Sequence, residues 1–218
     1  MSDFSRGIAF IFEGQTEAEF YISMLRYFVS QSPGYELSKE IDTDTNEYQY
    51  IITNNSNSVI VKTYTVGTIL SSVRTSAIWY KNNCYRRYKR IDWTVFLCYD
   101  TESYTYDISQ FNSDDWKDFK ETIAGNRRTT IIDMASVADI EDTMLLDIDG
   151  VCKFLGIPSC GIPSGGHGKI KMKKLFHNNK QTYHEGERAQ YLIDSLDKET
   201  IISRSSIPFI KIKEAFLK

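Results

Sequence analysis

No apolar run in this chain approaches the ~20 consecutive residues that a membrane helix requires, so a spanning helix is excluded. The four cysteines (Cys84, Cys98, Cys152, Cys160) include no Cys-x-x-Cys pair, which excludes a zinc ribbon. Cys98 lies inside an apolar run and reads as a small buried residue. The three histidines (His167, His177, His184) have no zinc-binding spacing. Neither Ser nor Thr follows Lys169 after the glycine-rich stretch, so a Walker ATP loop is excluded. There is no internal repeat, and no net positive charge: 26 basic residues face 29 acidic ones, for a formal charge of −3. The total therefore demands no nucleic-acid partner, although binding depends on how the charge is distributed. A signal peptide is not expected, because Asp3 and Arg6 precede a strand-length apolar run that ends at an acid. The expectation is a cytoplasmic chain with reduced thiols and no membrane partner.

What the chain does contain is ordinary for a folded domain: 218 residues, 41% hydrophobic and 25% charged. That length suits one α/β domain with a small appendage. The charge is uneven. Bases collect at Arg86, Arg87, Lys89 and Arg90 and again at Lys169, Lys171, Lys173 and Lys174, while acids collect at 100–121 and 139–149.

Hydrophobic periodicity alternates between strand and helix. Residues 7–12 form a continuous apolar run, the mark of a buried parallel strand. A helix is expected over 16–30, with Phe20, Tyr21, Met24, Leu25 and Phe28 on one face and a capping box from Thr16 to Glu19. Residues 32–57 are polar and read as an inserted loop or weak hairpin. Strands are expected over 58–64, 93–99 and 129–134, and helices over 66–90, 114–124 and 139–155. The Arg/Lys cluster suits the end of the second helix. This alternation predicts a mostly parallel sheet flanked by helices. From Pro158 the chain turns to a Pro/Gly loop and short helical stretches, read as a mainly helical, basic extension over 158–218 packed on a core of 1–157.

Two of the expected strands end in acids. The first runs into Glu13-Gly14 and the third into Asp100-Thr101-Glu102. Open parallel sheets gather functional groups at the carboxyl ends of their strands, and hard oxygen ligands there are what magnesium or manganese requires. Each feature alone is also ordinary turn or capping chemistry. Together, in this order, they favour a metal site. Glu17 reads as a solvated or helix-capping residue, with a supporting place behind the metal as the alternative.

The stretch from Phe12 to Tyr21, Phe-Glu-Gly-Gln-Thr-Glu-Ala-Glu-Phe-Tyr, resembles the Glu-Gly-x-Thr-Glu opening of Toprim domains. The likeness is to nucleases of the overcoming-lysogenization-defect type and related standalone phage-defence proteins. Leu97 to Glu102 resembles the strand carrying the Toprim Asp-x-Asp motif, with Glu102 replacing the usual second Asp. Ile140 to Leu146 is similar to the acidic helix start that follows the fourth strand in those nucleases. The resemblance covers about 1–157. It implies a Toprim-like fold and magnesium-dependent (or manganese-dependent) cleavage of DNA or RNA in antiviral defence. Glu13 would be a metal ligand or general acid/base, Asp100 and Glu102 would hold the metal, and Glu141 and Asp142 would complete a second position. It also implies an ABC-type ATPase partner in trans. The competing expectation is a catalytically inactive Toprim-fold subunit that works by binding such a partner. A homo-oligomer stays open.

The stretch Gly165 to Lys174 offers glycines that let amides approach a phosphate and lysines that add counter-charge. Lys169, Lys171, Lys173 and Lys174 read equally as phosphate-backbone contacts or as a solvated helix face. His167 reads as a surface histidine, with phosphate contact as the alternative. The fourteen tyrosines read mainly as packing residues, a minority as base-stacking candidates.

Overall fold

The computed structural model describes residues 4–67, 69–104, 114–123 and 126–217. Residue 68 within the expected helix 66–90, residues 105–113 within the acidic stretch 100–121, residue 124 at the end of the expected helix 114–124 and residue 218 lie outside the described residues. The apolar run becomes strand β1 (Arg6–Phe12), the middle of the sheet. It pairs in parallel with β4 (Ser58–Thr65) on one side and β5 (Asp92–Asp100) on the other, and β6 (Thr129–Ser136) extends β5 in parallel. A strand apolar at every position is needed here because both faces of β1 are covered. Ile8, Phe10 and Phe12 enter one core and Ala9 and Ile11 the other.

The expected loop or weak hairpin over 32–57 is a full hairpin added to the sheet. Strands β2 (Glu36–Asp42) and β3 (Glu47–Thr53) pair antiparallel, and β3 pairs antiparallel with β4. The sheet order is β2-β3-β4-β1-β5-β6. The hairpin reads as loop because β2 is an edge strand, exposed along most of its length and carrying charges that blunt the edge. The asparagine cluster is the next turn: the amides of Ser56 and Asn57 donate to Asn54 Oδ1 at 2.9 and 2.7 Å.

Helix α1 (Gln15–Ser30) covers one face of the sheet, and α2 (Ile69–Tyr80) and α3 (Asp114–Ile123) the other. The expected capping box at Thr16 does not form. Gly14 is the N-cap, and Thr16 Oγ1 accepts a hydrogen bond from the Gly186 amide at 2.9 Å. The expected helix over 66–90 ends early: α2 passes into a π-helical turn at Lys81–Tyr85, and Arg86 to Arg90 lie beyond it. Arg87 is drawn to the hairpin, where it meets Asp42 and Asp44; Asp42 also receives buried Lys62. Burial pushes the Asp42 carboxyl up, but hydrogen bonds from Arg87 and Lys62 outweigh it and hold the pKa below its ordinary value.

The helix expected over 139–155 is broken into α4 (Ile140–Met144), a 3-10 turn (Leu145–Asp147) and α5 (Ile148–Leu155). Asp147 causes the break. Its Oδ1 caps the restart by accepting from the Gly150 amide at 3.1 Å, and its Oδ2 accepts from the Asp197 amide at 2.7 Å. Helices α6 (Gly168–Asn178), α7 (Gln190–Ser195), α8 (Lys198–Arg204) and α9 (Ile210–Leu217) complete the described chain. Met172, Phe176, Ile193 and Phe209 join the same core as α1.

The parallel strands run β4-β1-β5-β6, and the chain moves from one side of β1 to the other between β4 and β5. That reversal opens a crevice at the carboxyl ends of β1 and β5, where doubly wound α/β proteins place their ligands.

Candidate active site

The crevice is built by backbone pairing that continues past the strands. The Glu13 amide donates to Cys98 O at 3.0 Å, and the Gly67 amide donates to Glu13 O at 3.1 Å. The Glu13 side chain reaches across, its Oε2 accepting from the Asp100 amide at 3.1 Å. Beyond β5 and β6 the chain is pinned by Thr101, whose Oγ1 accepts from the Ala138 amide at 2.9 Å and donates to Ser103 O at 3.0 Å. The Glu102 amide donates to Ala138 O at 2.8 Å. Glu102 and Ala138 both adopt left-handed backbone, with φ of 56° and 61°. Such a conformation costs a non-glycine residue about 1–2 kcal/mol and persists only where neighbours enforce it.

The resulting cleft has a volume of about 890 Å³. Seven carboxyl residues line it, and five of them act on one another electrostatically: Glu13, Glu17, Asp100, Asp139 and Glu141. Burial raises the Asp100 pKa strongly, and the charges of Glu17, Glu13, Glu141 and Asp139 raise it further. Burial likewise lifts Glu17, partly offset by a hydrogen bond shared with Asp100. Burial, with the Asp139 charge behind it, pushes Glu141 up to about 7. Tyr183 partly offsets this by donating its hydroxyl to Glu141 Oε1 at 2.9 Å. Asp139 is raised by burial even though it accepts from the amides of Lys169 and Asp142 at 3.0 and 2.9 Å. Asp100 Oδ1 is buried without a hydrogen-bond partner. Gly14 makes the crowding possible, because a Cβ there would lie 2.7 Å from Glu17 Oε2.

Among the sequence-predicted residues, Glu13, Asp100 and Glu141 meet in this cleft, and Glu102 lines it from an exposed position. Asp142 does not join them. It turns to the α6 side, where its carboxylate accepts from the Gly168 amide at 2.8 Å, Lys171 Nζ at 2.7 Å and Tyr104 OH at 2.7 Å. The glycine loop offers no open amide cradle at this point: the Gly168 and Lys169 amides are taken by Asp142 and Asp139. Lys169 lines the cleft and pairs with Glu185 at 2.5 Å, as Lys173 does at 2.9 Å. Lys174 donates to Ser164 O at 3.2 Å, outside the cleft lining. His167 lines the cleft and packs edge-on against Tyr104.

Glu17 and Asp139 were not expected as site residues, and the solvated reading of Glu17 is corrected by its burial. Both carry a signal in spacing. Glu17 lies one helical turn after the strand-end Glu13, and Asp139-Ile140-Glu141 repeats the Asp-x-Glu of Asp100-Thr101-Glu102. Tyr183 and Glu185 come from distant sequence and carry none.

The donor set suits a hard divalent cation in kind: carboxylate oxygens, an excess of negative charge and one unpartnered buried oxygen. Among the described residues, no three His, Cys, Asp or Glu side chains stand already arranged to hold a metal ion. Burial and mutual repulsion favour the protonated forms of Asp100 and Glu17.

No family model matches this chain. No curated protein matches it either. Among solved structures, a futalosine hydrolase mutant of Helicobacter pylori strain 26695 aligns over 98% of this chain and 94% of its own, with 10% identity and a TM-score of 0.28. Helicobacter pylori MTAN aligns over 92% and 100%, with 10% identity and a TM-score of 0.27. Superpositions this loose assign neither a family nor an activity. The architecture itself defines the class: a doubly wound α/β protein with an acidic cleft at its switch point.

Proposed function

We propose that the chain is a divalent-metal-dependent phosphodiesterase acting on DNA or RNA, with Glu13, Asp100 and Glu141 as its central acids. The observation that carries the reading is Asp100: a carboxyl group among four others, with one buried oxygen unpartnered, at the switch point of a parallel sheet. Magnesium or manganese held by Glu13, Asp100 and neighbouring carboxylates would polarise a phosphate and lower the pKa of a bound water. Glu17 would receive or release the proton it shares with Asp100 when the cleft charge changes. Glu141, with its pKa near 7 and its carboxyl steadied by Tyr183, is suited to accept a proton at neutral pH. Lys169, on the cleft wall, would face the anionic substrate once Glu185 yields it.

The resemblance to phage-defence Toprim nucleases supports the same reading and extends it to antiviral defence with an ATPase partner. A second reading, an inactive subunit acting through a partner, is favoured by the lack of a ready-made metal shell among the described residues. One experiment separates them. The protein is incubated with magnesium or manganese and plasmid, single-stranded DNA, tRNA and rRNA, with Glu13→Ala as control. Metal-dependent cleavage lost in Glu13→Ala supports the nuclease; neither cleavage nor saturable metal binding supports the partner subunit.

A further inference from the structure

The basic segment after α2 takes no part in the cleft. It lies at the opposite, amino-terminal end of the sheet, just before β5 starts at Asp92. The turn before β6 brings Arg127 and Arg128 to the same place. Arg128 Nη1 donates to Arg90 O, and the Trp93 amide donates to Arg128 O at 2.8 Å. Between them the two segments carry Lys81, Arg86, Arg87, Lys89, Arg90, Arg127 and Arg128, against one acid, Asp92. Arg87 is committed to Asp42 and Asp44. Arg86 donates to Asn82, while Lys89, Arg90 and Arg127 are exposed. The patch rests on a firm base, since Tyr88 packs against Phe4 and Trp93.

We infer that this face binds the sugar-phosphate backbone of a nucleic acid, at a site separate from the cleft. In a chain of net charge −3 these two segments carry seven cations and one acid, and Asp42 and Asp44 from the hairpin pair with Arg87. Guanidinium groups dominate the patch, and their planar forks match phosphate oxygens. A protein partner would need apolar anchors, yet none of the exposed large hydrophobic side chains among the described residues falls within 81–92 or 126–128. No exposed aromatic stands there to stack on a base, so the recognition is of backbone charge and independent of sequence. The nine residues of β5 hold the patch about 26 Å from the cleft, so one phosphate cannot occupy both. A strand engaged here extends well beyond whatever enters the cleft. The inference goes beyond the phosphodiesterase reading and stands without it.

The test uses the full chain in EDTA, where no cleavage intervenes. Binding of labelled mixed-sequence DNA and RNA is followed by fluorescence anisotropy across a salt series. The wild type is compared with Lys89→Gln/Arg90→Gln/Arg127→Gln and with Lys153→Gln, an exposed lysine of α5 outside both the patch and the cleft lining. The triple variant is expected to bind at least about tenfold more weakly at low salt, with a log–log salt slope smaller by roughly 2–3, about 0.7–0.9 per lost phosphate contact. Lys153→Gln is expected to keep the wild-type slope. In the wild type, nucleic acid should also protect Arg90 and Arg127 from phenylglyoxal modification mapped by mass spectrometry. Unchanged affinity and slope in the triple variant overturn the inference, as does modification unaffected by nucleic acid. Polyglutamate that displaces nucleic acid equally well per charge overturns the choice of occupant. Failure of metal-dependent cleavage alone touches only the cleft.

Discussion

The Asp100 and Glu17 carboxyl groups are hydrogen-bonded to each other, joining the end of β5 to the first turn of α1. Such a bond between two acids needs one proton, and burial with four neighbouring carboxyl groups raises the Asp100 pKa strongly. Folding at neutral pH therefore obliges this acid to take up a proton it would not hold when unfolded. Asp100→Asn keeps the donor and the shape without that proton uptake. It is expected to stabilise the metal-free protein by on the order of 2–4 kcal/mol, seen as a higher Tm in EDTA. It should also abolish any stabilisation by magnesium. A Tm equal to or below that of the wild type would mean that Asp100 is not under charge pressure.

The same crowding sets the pH dependence. Asp100, Glu17, Asp139 and Glu141 all have folded-state pKa values above their ordinary ones. The folded state then binds more protons than the unfolded state between the two sets of values, so stability falls as pH rises through that window. Urea melts in EDTA should show higher stability at pH 5 than at pH 8, losing up to about 1.4 kcal/mol per pH unit for each proton taken up on folding. The decline should include the region near 7 where Glu141 titrates. If cations occupy the cleft, millimolar magnesium flattens the slope. A metal-free profile that is level or rises over this range would contradict the raised values.

Glu102 offers a separate check on the cleft wall. It is exposed and holds a left-handed backbone at φ 56°, so Glu102→Gly should stabilise the protein by up to about 1 kcal/mol through relief of that strain. Glu102→Asp keeps the charge, and Glu102→Gln removes it at constant size. Cleavage preserved better by Asp than by Gln assigns Glu102 a charge role at the metal. Equal, near-wild-type rates in both leave it a rim residue only.

How much of this was legible in the sequence depended on where burial comes from. Strands β1 and β5 were plain because a strand covered on both faces must be apolar throughout, as Ile8 to Phe12 and Val95 to Cys98 are. Strand β2 was hidden because an edge strand such as Glu36–Asp42 has the composition of a loop. Glu13 and Asp100 could be picked out because they stand where apolar strands stop. Glu17 gave only its spacing from Glu13 as a signal, since a glutamate on the first turn of a helix is ordinarily solvated, and its burial and its hydrogen bond with Asp100 come from segments distant in the chain. The lysines on α6 were equally opaque, because pairing with Glu185 and Asp142 depends on segments far away in the chain.

The docking of α6 rests on Gly168, and its removal makes the sharpest structural test. A Cβ at Gly168 would lie 2.1 Å from the Asp142 amide nitrogen, 2.4 Å from Asp139 Oδ1 and 2.5 Å from the Glu141 carbonyl carbon. Two of these are backbone atoms in the first turn of α4, so no flexible side chain can give way. Gly168→Ala must push α6 off α4, breaking the hydrogen bonds from the Gly168 and Lys169 amides to Asp142 and Asp139. The expected loss is about 2–4 kcal/mol, the overpacking penalty plus the lost caps. Gly161 supplies the control, because a Cβ there meets nothing within 4 Å and its backbone is not left-handed. Gly161→Ala should be silent or stabilise by about 0.4–1 kcal/mol. Lys169 moves with α6, so Gly168→Ala should also lower cleavage under conditions where the variant remains folded. Urea melts and cleavage rates for the two variants side by side decide the matter: equal stabilities would show that α6 does not depend on close approach at Gly168, and would free Lys169 from any positioning by α4.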